Sequence, residues 1–134
     1  MIKLLLVEDH PIFAGALVKA LEQREDLNVV QVAGTAEQAL EVIPGLGLDL
    51  ILVDVSLPKM NGIDLVGRLN KIYPNIRCLM ISGHISIPYL NRCLEAGARG
   101  YAIKDSVKGI IEGIDQVMRG EIYISKELLS KPMV

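Results

Sequence analysis

A chain of 134 residues that is 51% hydrophobic can bury one sizeable core, and its net charge of −2, spread without acidic or basic blocks, gives no footprint for nucleic acid. No apolar run reaches the roughly eighteen residues of a membrane span, and the N-terminus meets Glu8 and Asp9 too soon for a signal peptide, so a cytoplasmic protein is expected. Aromatic residues make up only 4%, which leaves the core to Leu, Ile, Val and Ala, as in buried parallel strands.

Ile2 to Val7 is a short apolar run without the alternation of a half-exposed strand. Phe13, Leu17, Ala20 and Leu21 then recur at helical spacing. Leu27 to Ala33 is a second strand. Ala36, Ala39, Leu40 and Ile43 form the next helical face, opened by a capping box of Thr35 with Gln38. Gly45-Leu46-Gly47 resembles half a nucleotide fingerprint, but it precedes the third strand instead of following the first, and it reads as a loop. Leu48 to Val53 is the third strand, followed by helical Leu65, Val66 and Leu69. Ile76 to Ile81 is the fourth. Leu90, Cys93 and Leu94 follow, with Pro88 in the first turn and Gly97 as the stop. Gly100 to Ile103 is the fifth strand, and Ile110, Ile111, Ile114 and Met118 form a last helix ended by Gly120. After it, Ile122, Tyr123, Ile124, Leu128 and Leu129 are too few to build a core of their own. Cys78 and Cys93 lack metal-ligand spacing and read as buried thiols.

Strands alternating with helices specify βαβ units and a parallel sheet. The expected fold is α/β: a doubly wound sheet of five strands in the order 2-1-3-4-5, with five helices. In such sheets function gathers beyond the carboxyl ends of the strands. Glu8, Asp9, His10 and Pro11 follow strand 1, Asp54 follows strand 3, Ser82, Gly83 and His84 follow strand 4, and Lys104 follows strand 5. Strands 1 and 3 are neighbours, about 5 Å apart, so Glu8, Asp9 and Asp54 crowd into one pocket. Their three negative charges raise one another's pKa unless neutralised, and Mg²⁺ with Lys104 would balance the count. Asp54 can then attack a phosphorus as a carboxylate nucleophile, with Lys104 and the metal stabilising the phosphoryl oxygens and the Ser82 hydroxyl donating to the product.

Over residues 1 to about 120 the chain resembles the receiver domains of bacterial response regulators, which are flavodoxin-like. The matching pieces are Glu8-Asp9, the segment Asp54-Val55-Ser56-Leu57-Pro58-Lys59-Met60-Asn61-Gly62, Ser82, Tyr101 and Lys104, each in order at its strand end. The resemblance implies that Asp54 is the phosphoacceptor and that a sensor histidine kinase is the donor. It also implies that Asp9, Asp54 and the Ser56 backbone carbonyl bind Mg²⁺, with Glu8 acting through water. Ser82 and Tyr101 would be a coupled switch pair, Ser82 drawn toward the phosphoryl oxygens and Tyr101 drawn inward on phosphorylation, while Lys104 pairs with the phosphate. The phosphorylated form is expected to dimerise. Leu6-Val7-Glu8-Asp9-His10-Pro11, Glu95 to Lys104 and Gly120 to Ser125 are similar to the NarL/FixJ (LuxR-type) branch. That branch implies that residues 121–134 begin a linker to a helix-turn-helix domain that these residues do not contain, so DNA would be bound only through that domain. Asp105 departs from the family's common Pro after the Lys.

His10 reads as the start of the first helix beside Pro11 in preference to a metal ligand. His84 has three readings: plain surface, a position that tunes the rate of water attack together with Ser56, and a transition-metal ligand. Three rival functions stand beside the switch. A flavodoxin-like cofactor binder would need small or hydroxyl residues where Glu8-Asp9 stand. An aspartyl-phosphate phosphatase of the haloacid-dehalogenase type would need Asp where Ser56 stands. An inactive receiver could serve as a stand-alone protein-binding module.

Overall fold

The computed structural model describes residues 1–129. A parallel sheet runs β2 (Leu27–Ala33), β1 (Ile2–Val7), β3 (Leu50–Asp54), β4 (Arg77–Ser82), β5 (Gly100–Ile103), β6 (Tyr123–Ile124). The helices are α1 (Pro11–Leu21), α2 (Ala36–Val42), α3 (Gly62–Ile72), α4 (Ile87–Ala96), α5 (Val107–Met118) and α6 (Lys126–Leu129). The expected strand order holds through the first five strands. The expectation of five strands and five helices is corrected: the tail adds β6 beside β5 and then α6. The rest of the expected linker, residues 130–134, lies outside the described residues.

Successive residues on the inner strands β1, β3, β4 and β5 point to opposite faces, and both faces are buried. Leu4, Leu6, Leu50, Leu52, Leu79 and Ile81 pack with α1 and α5, while Leu5, Val7, Ile51, Val53, Met80 and Tyr101 pack with α2, α3 and α4. That double burial removes the alternation from the sequence and yields the continuous apolar runs. β3 starts two residues later than its apolar run and ends on Asp54 itself. Asp49, at the near end, is pinned outside the strand: its carboxylate accepts the Lys3 N–H at 2.9 Å. β4 likewise runs one residue further than expected, onto Ser82.

Helix starts are fixed by side-chain oxygens. Thr35, Asn61, Ser86 and Ser106 accept from the N–H groups of Gln38, Asp64, Tyr89 and Gly109. The Thr35 box is a variant, since the Gln38 amide oxygen reaches back to the Gly34 N–H at 2.8 Å and not to that of Thr35. Gly97 ends α4 with φ 111°, in the left-handed region where a side chain would be strained. Cys78 and Cys93 are buried thiols, as expected, and burial pushes Cys78 up to about 12.

Candidate functional site: an acidic pocket at the strand ends

The β1–β3 register pairs Val7 with Val53, so the chain leaves both strands at the same level and places Glu8 beside Asp54. Both carboxylates are almost wholly buried, Glu8 at 2% and Asp54 at 1% exposure, whereas Asp9 faces the opening. Burial of two acids is affordable only with a partner, and Lys104, carried to the pocket by β5, is that partner. Its Nζ lies 2.6 Å from Glu8 Oε1 and 3.1 Å from Asp54 Oδ2. The ammonium also sits 5.0 Å from the centre of the Phe13 ring on α1, a cation–π contact.

The two acids differ in proton affinity. Burial would raise Glu8, but hydrogen bonds from Lys104 and His10 outweigh it and hold the carboxyl below its ordinary value. Burial raises Asp54 and repulsion from Glu8 adds to this; the Ser56 N–H and Lys104 oppose the rise without cancelling it. The Ser56 N–H donates to Asp54 Oδ1 at 3.0 Å. Gly62 completes this corner: a Cβ there would collide with the Asp54 carbonyl oxygen, so only glycine lets α3 start this close to β3.

Ser82 and Tyr101 are joined through the loop after β4. The His84 N–H donates to Ser82 Oγ at 2.9 Å, and the Tyr101 hydroxyl donates to the His84 carbonyl at 2.8 Å. Burial raises the Tyr101 phenol, a rise that Ser82 partly opposes. Tyr101 is fully buried. The His84 ring is exposed and packs edge-on against Tyr89, with centroids 5.4 Å apart, while its backbone links Ser82 to Tyr101. Ser56 is exposed at the rim. The Lys104–Asp105 peptide bond is trans.

Three contacts at the site are not legible in the sequence: Phe13 under Lys104, Gly62 against Asp54, and the His10 ring on Glu8. His10 does precede α1, as expected, but its side chain makes no cap bond. Its Nδ1 lies instead 3.0 Å from Glu8 Oε2 and 3.2 Å from Asp9 Oδ1. The closeness of Glu8-Asp9-His10 in sequence was the available clue. Donor atoms of Glu8, Asp9, His10 and Asp54 all lie within 4.8 Å of one another. Three carboxylates against one ammonium leave an excess of negative charge that a small dication would balance, so the donor set fits a bound divalent metal.

Residues 4–114 match the response regulator receiver domain family. Among curated relatives, the transcriptional regulatory protein UhpA of Escherichia coli is 31% identical over 98% of this chain and 66% of its own length. Response regulator GacA of Pseudomonas aeruginosa is 31% identical over 96% of this chain and 60% of its own. The chain spans between 52% and 60% of the length of relatives such as DegU of Brevibacillus brevis and GacA. A LuxR-family two-component response regulator from Aurantimonas superposes with a TM-score of 0.91 at 26% identity, covering 95% of this chain and 91% of that one. The receiver domain of NarL from Mycobacterium tuberculosis gives 0.82 at 30% identity, covering 90% and 98%. With the family matched over residues 4–114 and these relatives beside it, the chain belongs to the receiver domains of two-component response regulators, on their NarL/LuxR side.

Proposed function

We propose that this receiver is switched by a phosphoryl group on Asp54, delivered by a sensor histidine kinase in the cytoplasm. The observation that carries the proposal is the buried Asp54 carboxylate, held at one oxygen by Lys104 and at the other by the Ser56 N–H, in one pocket with Glu8 and Asp9. An Asp54 oxygen forms the new bond to phosphorus as the bond to the donor imidazole breaks; the electron pair returns to the ring nitrogen, and the leaving imidazole takes its proton from water. Glu8, Asp9, Asp54 and the Ser56 backbone carbonyl would hold Mg²⁺, which when bound supplies positive charge to the phosphoryl oxygens. Lys104 can leave Glu8 for the phosphoryl oxygens, since its ammonium already reaches both acids. The same residues support self-catalysed transfer from small acyl phosphates and the later attack by water, whose rate Ser56 and His84 tune from the rim.

When Ser82 donates to the phosphoryl group, its oxygen turns away from the His84 N–H, and the His84–Tyr101 hydrogen bond carries that change to β5. This gives Ser82 and Tyr101 their coupling, and the face of α4, β5 and α5 its response. Homodimer formation on phosphorylation, and a linker from residue 121 into a DNA-binding helix-turn-helix domain, complete the reading. The further domain is supported by the chain covering 52% of DegU and 60% of GacA.

Incubation with Mg²⁺ and acetyl phosphate should add one phosphoryl mass to the wild type and none to Asp54→Asn, which keeps the shape without the nucleophile. A phosphoryl mass on Asp54→Asn would overturn the assignment. Ser82→Ala should accept the group but show smaller NMR shift changes on the α4–β5–α5 face; changes equal to wild type would refute the coupling.

A further inference from the structure

The His10 ring is hydrogen-bonded to Glu8, and the switch reading gives it no part in phosphoryl transfer. The fold does not need its ring: α1 starts on Pro11, and the His10 side chain caps nothing. The ring is 66% exposed, yet it does not extend into solvent; it folds back so that Nδ1 meets Glu8 Oε2 at 3.0 Å and Asp9 Oδ1 at 3.2 Å. Lys104 occupies the other oxygen of Glu8, Oε1, while Oε2, which also accepts the His10 backbone N–H at 3.1 Å, faces the imidazole. Donor atoms on neighbouring corners of an octahedral site with bonds of about 2.1 Å stand about 3.0 Å apart. Nδ1 is already at that spacing from two carboxylate oxygens, and all four donor groups fall within 4.8 Å of one another.

We propose that His10 Nδ1 is a direct ligand of a divalent ion in this pocket and makes it a site for borderline transition metals, such as Co²⁺, Ni²⁺ or Zn²⁺, in competition with Mg²⁺. The inference rests on the reading of the pocket as a metal site and extends it to the choice of metal. Carboxylates and carbonyls suit Mg²⁺, which gains little from an imidazole; the later first-row ions gain much from one. A pocket of Glu8, Asp9 and Asp54 alone would therefore discriminate less between the two classes than one completed by His10. His84 offers no substitute, because it stands outside the donor cluster with its ring against Tyr89.

Calorimetric titrations with Mg²⁺ and with Co²⁺, on wild type, His10→Gln and His84→Gln, test this directly. His10 is exposed, so His10→Gln should fold normally. It should weaken Co²⁺ by about tenfold or more, the scale on which ligand-shell changes act, and move Mg²⁺ by less than about twofold. His84→Gln should move neither. With Zn²⁺, the Nδ1 resonance of His10 should shift in imidazole ¹⁵N spectra while that of His84 stays. Equal effects of His10→Gln on both ions, no effect on either, or loss of Co²⁺ in His84→Gln would each overturn the proposal. Absence of both ions from the wild type would instead overturn the metal site itself, a different result from Mg²⁺ binding without a His10-dependent preference.

Discussion

Lys104 holds two buried carboxylates with one ammonium, so its removal should expose how the pocket is stabilised. Lys104→Met, studied free of metal, should lower stability at neutral pH by about 3 kcal/mol, the low end for breaking a buried pair because Lys104 is partly exposed. The pH dependence has a definite sign. Glu8 is held below its ordinary value of 4.5, so its share of the stability is complete above that pH and is lost as pH falls through the lowered folded value. Asp54 is raised, so it favours the folded state in acid, and that contribution disappears as pH rises through its folded value. Without Lys104 both acids move upward, and the variant should recover toward wild type as pH falls. Urea denaturation across pH measures this; a gap that stays constant with pH would mean that Lys104 does not neutralise these carboxylates. At this scale the sequence placed Glu8, Asp9, Asp54, Ser82 and Lys104 in one region because strand order alone brings the strand ends together. It could not show that Lys104 bridges Glu8 to Asp54, or that the His10 ring folds back, because rotamers depend on the packed surroundings.

Among the elements, β6 and α6 pack the first part of the expected linker against the receiver. The Tyr123 N–H donates to the Arg99 carbonyl and the Ser125 N–H to the Tyr101 carbonyl, each at 3.0 Å, so the tail is hydrogen-bonded to the strand that carries Tyr101. Tyr123 lies over Gly113 of α5, where a Cβ would stand 2.9 Å from its ring. Ser125 also bonds Glu127, and Leu128 is buried behind them. Tyr123→Ala should lower stability by about 3 kcal/mol and speed hydrogen exchange at the Ser125 amide, leaving the β1–β3 amides protected. Unchanged Ser125 protection would show that Tyr123 does not anchor the tail. The longer elements were legible because double burial writes continuous apolar runs and helix faces repeat over several turns. A two-residue strand has no period to read, and its evidence is two backbone hydrogen bonds and a glycine-lined seat that only the folded chain brings together.

At the scale of the whole molecule, the fold should be coupled to a bound divalent ion and indifferent to DNA. Metal bound to the native pocket stabilises by mass action, by about 1.4 kcal/mol at tenfold excess over Kd, and Asp9→Asn should blunt the effect. A melting temperature unmoved by a Mg²⁺ titration would count against the site. With net charge −2 and no basic stripe, these residues should show no sequence-specific DNA binding in anisotropy titrations at about 150 mM salt. Specific binding there would overturn the assignment of DNA recognition to a separate domain. Phosphorylation of Asp54 is tested most directly by chemical trapping of the modified residue. Acyl phosphates are reduced by borohydride, so the protein treated with Mg²⁺ and acetyl phosphate, then reduced and digested, should yield homoserine at position 54 alone. A reduced residue at Glu8 or Asp9, or a phosphoryl group that resists reduction on a hydroxyl or histidine, would contradict the account.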